Sequence, residues 1–585
     1  DLLPQEQAGR LAQLQLKIAA QLREDADIAI ADARYGFIHW LLEGVVVHAT
    51  KVRQTLTDKI DNVVLNRVLG LPIFLLMMYL TFMFTINVGG AFIDFFDIAA
   101  GAIFVDGMAV LLNGFNTPAW LVGVLATGVG GGLQTVATFI PPIGFMFLAL
   151  AVLEGSGYMA RAAFVMDRFM RMLGLPGKSF VPMIVGFGCT VPAIMATRTL
   201  ENERDRLMTM TMSHFMSCGA RLPVYALFAA AFFAAWGQHL VFLLYVIGLA
   251  AAIFTGLVLK NTLLRGEVTP FVMELPPYHL PTVRGIGLRT WDRTKGFMFR
   301  AGKVIVPMVL VLNVLNSVGT DGSFNNEDSE RSVLSQVGRT ISPVFSPFGL
   351  NEENWPASVG IFTGLMAKEA VVGTLDSLYT TLGEEAEREL RSQTMPKPLS
   401  WRADKTEEAL PPDEPEAGER FDLVGTVGEG LATIPVNLGA AVGSWLDPLG
   451  LNIGNVADQA AAAEAQEVGV GTFGAMAQRF DGQVGAFAYL LFVLLYFPCI
   501  AAIAAVYREA GTRWALFVAG WTTGLAYGVA TVFYQAATFA QNPASSAAWI
   551  GGMLAAFAVV IAAMRYRGRR RPQAAAIPLK AVQEA

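Results

Sequence analysis

Residues Trp514 to Met564 read WALFVAGWTTGLAYGVATVFYQAATFAQNPASSAAWIGGMLAAFAVVIAAM, 51 positions without one Asp, Glu, Lys or Arg. A water-facing surface cannot be built from such a run. At about 1.5 Å per residue it is also more than twice as long as a hydrocarbon core is thick. Gln541-Asn542-Pro543 is the natural place for the chain to reverse, so the run predicts two membrane helices. Working outward, uncharged stretches recur over 71–88, 119–153 and 222–259, with shorter ones over 304–320 and 482–507. Gly130-Gly131-Gly132 and Pro141-Pro142 interrupt the second stretch and predict a broken helix. Trp236-Gly237-Gln238-His239 marks a turn in the third, whose first span begins upstream near Leu207. The fold class that follows is all-α: a polytopic membrane protein of roughly eight to ten helices or re-entrant segments with a short soluble helical segment in front.

Composition agrees. Of 585 residues, 54% are hydrophobic and 15% charged, with a mean hydropathy of +0.48. The 42 basic residues do not exceed the 48 acidic ones, which excludes nucleic acid as a partner and leaves the lipid bilayer. Three cysteines form no CxxC and no disulfide framework. The polar start, DLLPQEQAGRLAQLQ, lacks the basic lead of a signal peptide.

Residues 1–66 read as the soluble helical segment, and 67–382 as a membrane domain. Residues 383–484 read as an extramembrane insertion, partly disordered because 383–420 is rich in acids and prolines. Residues 485–566 supply further membrane helices, and 567–585 a basic tail. Arg565, Arg567, Arg569, Arg570 and Arg571 place the C-terminus in the cytoplasm, and the basic loop 261–303 with it. Acidic 321–330 and the 383–420 insertion fall outside.

An internal repeat points to a transporter. Gly157-Tyr-Met-Ala-Arg161-Ala-Ala163-Phe-Val165 matches Gly364-Leu-Met-Ala-Lys368-Glu-Ala370-Val-Val372 at an offset of 207. Phe187-Gly-Cys189 with Arg198 matches Phe497-Pro-Cys499 with Arg508 at an offset of 310. The two offsets differ by about the length of the 383–484 insertion. The first gate repeat therefore covers 154–225, and the second begins at 356–382.

Gly and Pro flank Cys189 and Cys499 closely enough to break a helix and bare its carbonyls. Thiols beside carbonyl oxygens suit a borderline divalent transition ion better than Na⁺ or Mg²⁺. Free cysteine also serves simply as packing, so both readings stand. Cys218 shares the surroundings but has no repeat partner. Charged groups at membrane depth cost about 2.5 to 3.5 kcal/mol each and mark pathways or internal pairs. The candidates are Glu154, Arg161, Arg221, Lys368 and Glu369, with Arg161 expected to reach interfacial water. Met208, Met210, Met212 and Met216 read as packing or lipid-facing residues, not a metal ladder. Gly177-Lys178-Ser179 imitates the end of a phosphate loop, but the first glycine it needs is Met172.

The chain resembles the bacterial ferrous-iron transporter B family. The resemblance is carried by Gly186-Phe-Gly-Cys-Thr-Val-Pro-Ala-Ile-Met-Ala-Thr-Arg-Thr-Leu-Glu201, by Asp205-Arg206 and by Phe215-Met-Ser-Cys-Gly-Ala-Arg-Leu-Pro-Val-Tyr225. Thr57-Asp-Lys-Ile-Asp61 before Leu71-Pro-Ile-Phe74, and Met366-Ala-Lys-Glu-Ala370, add to it. It implies an inner-membrane permease whose gates import Fe²⁺, with iron handled by Cys189, Cys499 and Cys218. It further implies GTP and Mg²⁺ acting only through an N-terminal GTP-binding domain that this sequence lacks, so that this chain is itself no enzyme. Residues 1–50 would be the end of a switch domain. Small cytoplasmic companion proteins and a homo-oligomer are also implied. A nucleoside-type solute permease and a non-transporting receptor are the rival readings.

Overall fold

The computed structural model describes residues 33–38, 40–42, 56–66, 68–234, 236–266, 276–324, 326, 329–366, 368, 370–394, 422–443 and 468–570. Residues 1–62 form one unit and 63–585 another. In the first, helical turns at 33–38 and 40–42 bring Phe37 and Trp40 within 5.9 Å. Of the insertion expected over 383–484, residues 395–421 and 444–467 lie outside the described residues, whereas 383–394 continues the helix Ala370–Thr394, and Leu423–Gly443 and Val470–Arg479 are helices.

The described part of the second unit is helical, with a single isolated bridge between Gly319 and Ser332, and the all-α expectation holds. Among the described residues, six runs are long and apolar enough to cross a membrane: Gly70–Gly114, Ala119–Gly155, Gly237–Asn261, Val283–Ser317, Gly482–Ala537 and Pro543–Arg569. The first extends well beyond the expected 71–88. Its second half was concealed in the sequence by Asp94, Asp97 and Asp106, of which Asp97 accepts from Gln134 Nε2 at 2.9 Å and Asp94 from Asn437 Nδ2 at 2.6 Å. The 304–320 span likewise belongs to a 35-residue helix, Val283–Ser317, whose first half is basic.

Regular α-helix gives way to π-helix at Phe84–Val88, Gly101–Asp106 and Gly123–Gly130. The last two segments touch, and a Cβ on Gly130 would stand 2.0 Å from the Phe104 carbonyl oxygen. The triple glycine thus serves a close helix crossing, in the manner of small-residue interfaces in membranes.

Among the described residues the chain leaves helix inside the bundle at Gly511 (φ 78°, ψ 174°), within Ile500–Ala537, and at four points between successive helices. The breaks separate Phe180–Gly188 from Thr190–Ala196, Glu203–Ser213 from Leu222–Phe232, Trp355–Met366 from Ala370–Thr394, and Gly482–Leu495 from Ile500–Ala537. Irregular backbone at membrane depth is tolerated where protein covers it or a cavity is lined. Here the broken helices pack on one another. Helix Glu203–Ser213 is deeply enclosed: Met208, Thr209, Met210, Thr211, Met212 and Ser213 are all fully buried. Its hydroxyls turn back onto the helix, as Thr209 Oγ1 does to the Asp205 carbonyl at 2.7 Å and Ser213 Oγ to the Thr209 carbonyl at 2.7 Å, so these hydroxyls need no water. The methionines are packing residues facing protein, Met212 against Gly256.

Candidate functional site

All three cysteines stand at helix breaks, each in an extended backbone conformation at the residue before a helical turn. Cys189 (φ −156°, ψ 133°) separates its two helices, Cys499 (φ −53°, ψ 150°) precedes Ile500–Ala537, and Cys218 (φ −81°, ψ 160°) precedes the turn Gly219–Arg221. The local cause is in the sequence. Gly188 and Pro192 around Cys189, and Pro498 before Cys499, remove the donors or side chains that would keep a helix continuous. All three thiols are half-buried.

The fold brings two of the three together. Cys189 and Cys499 pack against one apolar cluster that includes Val185, Ala193, Ile194, Ala502 and Val506, and Thr190–Ala196 packs along Ile500–Ala537. Cys218 is not part of that cluster and lies beside Tyr225 and Ser217, whose hydroxyls are 3.2 Å apart.

Beyond the sulfurs the two helices line one small cavity of about 40 Å³. Its walls repeat. Val191 and Ala501 lie two residues past their cysteines, Met195 and Ala505 six past, and Arg198 and Arg508 nine past, and all six face it. Nine helical residues carry the chain about 13 Å, so apolar walls lead from the sulfur level to a ring of arginines. Arg300 completes the ring with Glu509, whose carboxylate accepts from Arg198 Nε at 2.8 Å and whose backbone carbonyl accepts from Arg206 Nη2 at 2.8 Å. The repeat motif includes neither Glu509 nor Arg300; the sequence signal for Glu509 is the charged island Arg508, Glu509 and Arg513 between two uncharged runs.

A larger cavity, about 650 Å³, shares Met195, Arg198 and Arg300 and also touches Val185 and Pro192 on either side of Cys189. Glu154 lines it, exposed and bonded to Arg293 Nη2 at 2.8 Å, so this carboxylate sits at a wet mouth and not in apolar surroundings. Asp292 and Lys178 line it too.

Arg161, Lys368 and Arg221 are buried. Arg161, expected to reach water, is wholly enclosed: it donates to the carbonyls of Pro276 (2.6 Å) and Gly157 (3.0 Å) and stacks 3.9 Å over the Tyr278 ring. Gly157 supplies its carbonyl from a left-handed conformation, φ 83°, that favours glycine. Lys368, its partner in the repeat, is also buried and lies 4.0 Å over the Tyr496 ring. The backbones differ, because Arg161 sits inside helix Tyr158–Leu173 while Lys368 sits at a break. Arg221 donates to the carbonyls of Met216 (3.3 Å) and His214 (3.2 Å), closing the break between Glu203–Ser213 and Leu222–Phe232. Glu369 lies outside the described residues.

Among the described residues no three His, Cys, Asp or Glu side chains gather at metal-binding spacing. An ion between Cys189 and Cys499 would therefore complete its shell from carbonyl oxygens and water.

The GKS segment forms a buried turn, Gly177–Ser179. A Cβ on Gly177 would stand 2.1 Å from the Ala163 carbonyl oxygen, so the glycine serves a helix contact.

Comparison with known proteins supplies the family. Residues 1–47 match the FeoB cytosolic helical domain, 136–232 and 298–403 match the gate family described as nucleoside recognition, and 241–293 match the C terminus of ferrous iron transport protein B. The chain is 44% identical to the Fe(2+) transporter FeoB of Legionella pneumophila (strain Lens) over 556 residues, 94% of this chain and 69% of the relative. It is 43% identical to that of Shigella flexneri over 574 residues, 98% of this chain and 70% of the relative. No solved structure matches. With that identity sustained along nearly its whole length, the chain belongs to the FeoB family.

Proposed function

We propose that this chain carries ferrous iron inward across the bacterial inner membrane, through the passage bounded by Cys189 and Cys499. The observation that carries this reading is the pair of sulfur-bearing helix breaks packed against one cluster, with three pairs of equivalent residues lining the cavity beyond them. Thiols and carbonyl oxygens suit Fe²⁺, and its low place in the affinity order favours release. Both relatives named above are Fe(2+) transporters. The gate family's description speaks of nucleosides, but the matches before it and between its two parts are to iron-transport families, which favours iron over a nucleoside permease or a silent receptor.

Cys218 takes a lesser part, being outside the shared cluster. Lys368, Arg161 and Arg221 hold the breaks in shape from inside the protein, and Glu154 lines the entrance to the larger cavity. Glu369, next to Lys368, is the acid that would face the ion at the second break. The basic loops and tail put the arginine ring on the cytoplasmic side. GTP and Mg²⁺ act through a domain upstream of the matched region, and companion proteins and self-association serve the same cycle.

The test is uptake of radiolabelled Fe²⁺ by vesicles holding this chain, with and without a GTP-binding domain fused in front. Flux in either preparation that collapses in C189S/C499S supports the reading. Flux that survives the double substitution removes the sulfur passage, and absence of flux in both preparations removes the transport reading.

A further inference from the structure

The arginine ring carries more positive charge than its own carboxylate answers. Arg198, Arg300 and Arg508 come from three separate helical segments and face one cavity with a single acid, Glu509. That acid is committed, since Oε1 accepts from both Nε and Nη2 of Arg198. Among the described residues no ion pair reaches Arg300 or Arg508. Arg300 lies within electrostatic reach of Arg508 and Arg198, and of Glu509. The adjoining cavity adds Lys178 and Arg293 against Glu154, already bonded to Arg293, and Asp292. Guanidinium groups brought this close repel one another unless an anion sits between them, and their planar forks match a tetrahedral oxyanion better than a spherical ion.

We propose that Arg198, Arg300 and Arg508 form an anion site for a phosphate group, reached from the larger cavity, which shares Arg198 and Arg300 with the ring. The small cavity holds only about three waters, so the larger space receives the body of the ligand while the arginines grip its oxygens. A free phosphate and the headgroup of an anionic lipid offer the same chemistry. Occupancy would lift the positive barrier against a cation leaving by this mouth; that consequence rests on the transport reading above, whereas the binding itself does not.

The experiment uses the whole chain in phosphatidylcholine nanodiscs without iron, with thermal unfolding followed as inorganic phosphate replaces chloride at constant ionic strength. The expected result is a saturable rise in Tm, with half-saturation shifted at least tenfold in R300Q and in R508Q, as loss of one charge-assisted contact implies. R339Q, which removes a separate pair with Glu330, should leave it unmoved. Unfolding of each variant without phosphate reports its folding, and R300K, which keeps charge but not the fork, should weaken binding to a smaller degree. Phosphatidylglycerol mixed into the disc distinguishes the sources. If it abolishes the phosphate effect, the headgroup is the occupant; if the effect persists, a soluble phosphate is. No saturable effect in phosphatidylcholine, or one unchanged in both Gln variants, overturns the proposal.

Discussion

Arg198 donates through Nε to Glu509 Oε1 at 2.8 Å, joining the end of the first gate's cysteine helix to the second's across 311 residues of sequence. Arg198 is more than half exposed and Glu509 nearly buried, so screening by water reduces the worth of the pair. R198Q and E509Q should each lower stability slightly, with a coupling energy of about 1 kcal/mol or less in a double-mutant cycle on thermal unfolding. Strict additivity would show that the two groups do not hold the mouth together.

The sulfur pair makes an asymmetric prediction. C189S and C499S should each cut Fe²⁺ uptake by roughly ten- to a hundredfold, the range seen when groups supporting a metal ion are removed. Because both lie against one cluster, the double variant should lose little more than either single one, while C218S retains most of the flux. Initial rates of radiolabelled uptake decide it, and equal losses for all three serines would contradict the geometry.

Buried cations on tyrosine rings should resist conservative exchange unevenly. Lys368 over Tyr496 is desolvated, so Y496L should cost about 2 kcal/mol beyond its lost packing in a cycle with K368M, while Y496F, which keeps the ring, should retain that coupling. At Arg161, R161K should destabilise as well, because one ammonium cannot both reach the Pro276 and Gly157 carbonyls and stack flat on Tyr278. Chemical denaturation in detergent gives both numbers.

Asp205 is nearly inaccessible and accepts from Arg204 Nη1 at 2.7 Å, and Arg204 in turn donates to the Gly174 and Leu264 carbonyls. Removing the acid alone strands a buried guanidinium, so D205A should cost about 3 to 5 kcal/mol. A loss below about 1 kcal/mol in the same denaturation assay would mean that water replaces the carboxylate there.

Neighbouring glycines should behave oppositely. G130A forces a methyl group against the Phe104 carbonyl oxygen and should destabilise by about 1 to 3 kcal/mol. At Gly131 an added Cβ meets nothing within 4 Å, and G131A should stabilise by up to about 1 kcal/mol through helix propensity. The sign of the two changes in Tm is the measurement.

Much was legible along the chain. Uncharged length announced the membrane helices, because a bilayer admits no other use for such runs. Gly and Pro announced the breaks at Cys189 and Cys499, since backbone constraints act locally. The repeated F-x-C motif with its distant arginine announced that two stretches were equivalent. The helix over 93–114 was missed, because Asp94, Asp97 and Asp106 looked too costly for a membrane until Gln134 and Asn437 appeared beside two of them. For Arg161 the sequence points to the water's edge for the same reason, because the Pro276 carbonyl and the Tyr278 ring that enclose it lie more than a hundred residues away.

Sequence by itself determined which segments are apolar, where they must bend and which residues come in matched pairs, all of them consequences of short-range chemistry and periodicity. Only tertiary structure decided that Cys189 and Cys499 share a cluster while Cys218 does not, and that Arg198, Arg300, Arg508 and Glu509 meet at one mouth. Such meetings depend on how separate helices pack, and helix packing is set by the side chains of both partners at once.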